Sequence, residues 1–76
     1  GNEATWKVMN IQNHPGSKVS IYDRNGLQVF KQINYQNDWA GTFQQTGELL
    51  PAGSYYYIIE IGENNKVYNG WLYLTY

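Results

Sequence analysis

The stretch "LPAGSYYYIIEIG", residues 50–62, sets three tyrosines side by side and follows them with two isoleucines. In a β-strand successive side chains point to opposite faces. Tyr55, Tyr57, Ile59 and Ile61 therefore share one face, and Tyr56, Ile58 and Glu60 the other. A strand with one wet face alternates apolar with polar, whereas this one is apolar or aromatic on both sides, which places it inside a sheet. Pro51 and Gly53 supply the turn that enters it. Tyr55, Tyr56 and Tyr57 read first as strand packing rather than as binding residues.

Working outward, the period is two almost throughout. "TWKVMNI" (5–11) puts Trp6 and Val8 on one face and Met9 and Ile11 on the other, and "HPGS" (14–17) then breaks the run. "KVSIYD" (18–23) turns Val19 and Ile21 inward against Ser20 and Tyr22. Asn25-Gly26 follows, a strong hairpin signal because both residue types tolerate positive φ, and "LQVFK" (27–31) returns as the antiparallel partner. Residues 32–53 are less regular and read as a long connection holding one short strand. "KVYNGWLYLTY" (66–76) sets Trp71, Tyr73 and Thr75 against Leu72 and Leu74, with Gly70 marking a bulge. No segment carries a helical period. Five strong strands and one or two weak ones, punctuated by turns, predict an all-β sandwich or small barrel.

Seventy-six residues make one domain, near the size at which a single core barely offsets chain entropy. With no cysteine there is no disulfide to help, so the 17% aromatic content must supply the core. Charged residues are only 14% and the net charge is −1, with Lys7, Lys18, Arg24, Lys31 and Lys66 scattered along the chain. That is too thin for a phosphate-binding stripe, and nucleic acid is not expected as a partner. No apolar run is long enough for a helical membrane span, and membrane insertion is not expected either. The abrupt opening reads as a piece of a longer protein.

Catalysis has little material. His14 stands alone beside Pro15 in a turn, and no nucleophile–base arrangement or nucleophile elbow is present. Asp23 and Asp38 sit where turns want a side-chain acceptor, and "QND" (36–38) and "GENN" (62–65) lack the spaced acids of a calcium loop. No cofactor or metal is therefore expected. Outer-face aromatics suit sugar stacking, with Trp6, Trp39, Trp71 and the exposed tyrosines as candidates, but in so small a core the tryptophans are better used for packing.

The order of motifs is more specific than any one of them. Pro15 is followed by "VSIYDRNGLQVF" (19–30), which carries Ile21, Gly26, Val29 and Phe30. Tyr35, Trp39 and Gly41 then form Tyr-x-x-x-Trp-x-Gly. "LPAGSYYYIIEIG" and "NGWLYL" (69–74) close the series. This succession resembles the gliding motility-associated C-terminal domain, the type B sorting domain of the type IX secretion system, over nearly the whole chain. That family's acidic Gly-rich opening is missing here, Asn25 replaces its turn tryptophan, and Ala40 its acid or amide after the second tryptophan.

The resemblance implies a small immunoglobulin-like antiparallel β-sandwich of about six to seven strands. It further implies a non-catalytic address label at the C-terminus of a larger secreted protein of Bacteroidetes. Such a label passes through the periplasm, is recognised by outer-membrane type IX translocon components, and ends at the cell surface or outside the cell. The alternative is an adhesion or carbohydrate-binding module. For partner binding, the last strand is the candidate element, through Lys66, Gly70, Trp71, Leu72, Tyr73, Leu74 and Tyr76, with strand addition at its edge as the mode. The oligomeric state is open, because weakly charged edges can self-associate. Tyr56 and Tyr57 are expected to serve folding first, each costing about 3 kcal/mol on truncation to Ala when fully buried.

Overall fold

The computed structural model describes residues 6–62 and 66–75. Within them the fold is all-β: strands β1 (Lys18–Tyr22), β2 (Gln28–Ile33), β3 (Gly53–Glu60) and β4 (Val67–Leu74) form one antiparallel sheet in the order β2-β1-β3-β4. Ile11–Asn13 form a single 3-10 turn, and the described residues hold no α-helix. The two-sided apolarity of residues 55–61 has its cause here, because β3 lies between β1 and β4.

The β1–β2 hairpin closes differently from an Asn-Gly two-residue turn. Gly26 alone takes positive φ (89°), while Asp23 begins a turn in which the Gly26 N–H donates to the Asp23 carbonyl at 3.0 Å. The Asp23 N–H in turn donates to the Leu27 carbonyl, giving a three-residue loop with glycine in the left-handed position. Asp23 Oδ1 accepts from the Asn25 and Leu27 amides, both at 2.9 Å, so its carboxylate is held by the turn.

Register then sorts the side chains. Val19 faces Ile59, and Ile21 faces both Phe30 and Tyr57, so these residues share the inner face with Tyr55. The β1–β2 register shifts between Ile21 and Tyr22, leaving Val29 as an extra residue on β2. That bulge lets consecutive Val29 and Phe30 both be buried, which strict alternation forbids. Ile11, Tyr35, Trp39 and Ile61 complete the core, with Trp6, Val8, Leu72 and Leu74 packed against it.

Four strands stand where six to seven were expected, and among the described residues no second sheet covers the inner face. The covering layer is irregular. Of the strand expected over 5–11, the described residues 6–11 form none: Asn10 turns the chain through left-handed φ (64°), so Trp6, Val8 and Ile11 all face the core while Met9 is 88% exposed. The long connection contains only an isolated bridge, Thr42 to Leu49. Tyr56 and Tyr57 are half-buried, and the fully buried member of the triplet is Tyr55 at 5% exposure. Tyr55 also donates its hydroxyl to the Pro51 carbonyl at 2.7 Å. The larger folding cost thus moves one residue back.

Tyr35 ties the irregular layer together. Its ring, 2% exposed, packs against Trp6 and Phe30 with centroids 5.5 and 5.7 Å apart. Its hydroxyl donates to the Trp6 carbonyl at 2.7 Å and accepts the Trp39 amide at 2.9 Å. Burial, opposed in part by the Trp39 N–H and reinforced by the Asp38 charge, pushes the phenol up to about 12.

Tyr35→Phe is expected to cost about 2 kcal/mol in urea unfolding, since two buried backbone groups lose their partner. Because the folded pKa lies above the unfolded one, the stabilisation is complete below pH 10 and is lost as pH rises through about 12. Unfolding measured across that window should show this loss in the wild type and lack Tyr35's share of it in Tyr35→Phe.

Candidate recognition surface

The two edges of the sheet differ in chemistry. On β2 the outer side is occupied by Gln44, whose N–H donates to the Val29 carbonyl at 2.9 Å. Gln44 Oε1 accepts the Lys31 amide at 3.1 Å, and Nε2 donates to the Lys31 carbonyl at 2.9 Å. One glutamine thereby imitates the backbone of an added strand, and the nearby bulge and Lys31 blunt the edge further.

On β4 none of these devices occurs. Its register with β3 is unbroken from Glu60↔Val67 to Gly53↔Leu74, and Val67–Leu74 contains neither charge nor proline. Among the described residues nothing pairs with its outer side, which leaves backbone donors and acceptors available for a further strand. Tyr68, Gly70, Leu72 and Leu74 line its inner face, and Val67, Asn69, Trp71 and Tyr73 its outer face.

The predicted partner-binding residues fall on both faces of this strand. Trp71 and Tyr73 are 63% and 67% exposed on the outer side, whereas Leu72 and Leu74 are half-buried against the core. Lys66 lies just before the strand, where its carbonyl accepts the Ile61 amide at 2.8 Å. Tyr76 lies outside the described residues. The expected bulge at Gly70 is absent, since the register does not shift there. Gly70 is instead where the Tyr57 ring crosses β4: a Cβ at this position would lie 2.8 Å from the Tyr57 hydroxyl and 3.0 Å from Cζ. Tyr57 is pinned from the other side by Trp6, with centroids 5.3 Å apart.

Beside this contact an open groove of about 570 Å³ runs between residues 8–14 and β3–β4, lined by Val8, Met9, Ile11, His14 and Tyr68 among others. Of the three tryptophans weighed for sugar stacking, Trp39 is a core residue, 3% exposed, with its indole N–H donating to the Thr42 carbonyl at 2.8 Å. Trp6 packs on the core as well. Trp71 alone stands on the surface. Strand register brings two of the tyrosines to it, Tyr22 and Tyr56. The period-two pattern put Tyr22 and Tyr56 on outer faces, but only the strand pairing aligns them. Pro15 and Pro51 are exposed in loops, while Ile21, Val29, Phe30, Tyr35, Trp39, Gly41 and Tyr55 are buried. The motif residues thus mark the fold more than the surface.

Gly70→Ala is expected to destabilise the protein by about 1 kcal/mol by forcing the Tyr57 ring aside. In a Tyr57→Ala background the same change should be neutral or stabilising, and a double-mutant cycle in denaturant reads the coupling.

One comparison with known proteins is positive. The sequence model of the family described as "CHU_C Type IX secretion signal domain" matches residues 1–74. No curated protein and no solved structure matches the chain.

Proposed function

The chain belongs to the CHU_C type IX secretion signal domain family, and from that premise we propose that it is a non-catalytic sorting domain recognised in its folded state. In this reading residues 1–76 are a single unit at the C-terminal end of a larger secreted or surface protein of Bacteroidetes. The cargo passes through the periplasm, docks on outer-membrane components of the translocon, and is released to the cell surface or beyond. The four-stranded sheet and its irregular cover are then read as a reduced immunoglobulin-like sandwich, with the cover in the place of a second sheet.

The observation that supports a role for β4 is the asymmetry of the two edges. A label read after folding needs a stable body and an accessible docking element. Here β2 is closed by Gln44, while β4 offers eight uncharged residues in straight register. A partner strand added to β4 gains main-chain hydrogen bonds along its length, and alternate side chains set specificity. On the inner side such a strand meets Tyr68, Leu72 and Leu74, which favours apolar residues at every second position.

Residues 1–76 with their native upstream segment, fused to a periplasm-directed reporter in a host with type IX secretion, should carry the reporter out of the cell. The doubly substituted Val67→Lys, Tyr73→Lys fusion places charge on an edge whose side chains are already exposed. It is expected to stay folded by circular dichroism and to hold the reporter in the periplasm. Retention of the unmodified fusion would remove the sorting role, and equal export of the variant would remove β4 as the docking element.

A further inference from the structure

The outer face of the sheet carries a feature that strand addition at β4 does not use. The β1–β3 register sets Tyr22 beside Tyr56, and the β3–β4 register sets Tyr56 beside Trp71. Three aromatic residues thereby form one row across three adjacent strands, spanning roughly 10 Å at the usual strand spacing. Tyr56 and Trp71 have ring centroids 5.1 Å apart and planes inclined at 66°, so the two rings make the floor and wall of a notch. With Tyr22, Arg24 and Ile58 they line a shallow, largely apolar depression of about 420 Å³, closed at one end by the hairpin loop.

The surroundings of the row carry few charges. The neighbouring row on one side runs Lys31, the buried Ser20, Ile58 and Asn69, and the row on the other holds Ser54 and Tyr73. Gln28 Nε2 donates to the Tyr22 hydroxyl at 3.2 Å. The ion pair of Lys18 with Glu60, at 3.1 Å, lies two rows away, toward the opposite end of the face. The Asp23 carboxylate is held within its turn, which leaves Arg24 as the cation at the rim.

We propose that this notch is a binding site for a neutral glycan chain. A pyranose ring presents an apolar C–H face edged by hydroxyls, which matches an aromatic floor bordered by uncharged donors and acceptors. In this arrangement one sugar lies against the Trp71 and Tyr56 rings. Its hydroxyls reach Asn69, Ser54 and the tyrosine hydroxyls, and Tyr22 extends the platform toward a second unit. A polyanionic ligand would meet Arg24 beside an acid and Lys31 one row away on β2, too few cations for a charged chain. A folded protein needs about 800 Å² on each side of a stable contact, more than a single ring row supplies. The inference rests on the outer face alone and stands whether or not the domain directs export.

The test is a ¹H–¹⁵N titration of the chain with cellohexaose, mannohexaose and xylohexaose as separate probes. The Trp71 indole N–H and the amides of Tyr22 and Tyr56 should shift with at least one of them, with a Kd of about 1 mM or tighter. The Trp6 and Trp39 indole signals, inside the fold, should stay in place and serve as the check on folding. Trp71→Ala should weaken binding about tenfold or more, while Trp71→Phe, which keeps an aromatic face, should retain part of it. Absence of any Trp71 shift with all three hexaoses at about ten times that concentration overturns the proposal. Shifts confined to another surface, or binding in the notch by a proline-rich decapeptide with none by the sugars, overturn it equally.

Discussion

The hydroxyl of Tyr35 is the point on which the rest of the molecule depends. A sheet of four strands leaves one face to be covered, and here the cover has almost no regular structure of its own. Its backbone groups must still be paired wherever water is excluded. Tyr35 meets that demand at the centre by joining the Trp6 carbonyl to the Trp39 amide. Polar side chains repeat the device around it. Asn37 accepts the Val8 amide at 2.7 Å, Asn34 the Gly16 amide at 2.6 Å, and Ser17 donates to the His14 carbonyl at 2.7 Å. No buried side-chain nitrogen or oxygen among the described residues is left without a partner. In a chain without cysteine these bonds hold the irregular layer onto the core.

The same economy separates fold from recognition. Aromatic residues that a reader of the sequence would offer to a ligand are largely absorbed by the cover and core: Trp6, Phe30, Tyr35, Trp39 and Tyr55 pack inward. What remains on the surface is concentrated on β4 and on the outer face of β3 and β1. There the absence of charge and the straight register give an edge suited to strand addition, while the row of Tyr22, Tyr56 and Trp71 gives a face suited to a flat ligand. Edge and face share Trp71, yet they use different parts of the strand, its backbone in one case and its side chains in the other.

Several features were legible from sequence because they follow from local rules. The period of two located β1, β3 and β4, and the apolar residues on both sides of 55–61 placed that strand inside the sheet. The ordered motifs identified the family. The misreadings have a common physical origin. Residues 5–11 alternate like a strand, but the left-handed turn at Asn10 and the tie from Asn37 bring Trp6, Val8 and Ile11 to one side and leave Met9 exposed. Gly70 resembled a bulge because its lack of a side chain is visible in the sequence, whereas the Tyr57 ring that requires it lies across the sheet. Val29 and Phe30 carried the signature of the true bulge, two apolar neighbours in one strand, but nothing local says which strand will absorb the extra residue.

By itself the sequence determined the all-β class, the four segments that form the sheet though not which other alternating segments stay out of it, the family, and which segments turn, since side-chain periodicity and turn chemistry act within a few residues of themselves. Tertiary structure decided which tyrosine of the triplet is buried, which edge is closed by a glutamine, and which aromatics meet on the outer face. Those outcomes depend on register and on contacts between residues far apart in the chain. A shift of one position between strands exchanges the faces of every side chain.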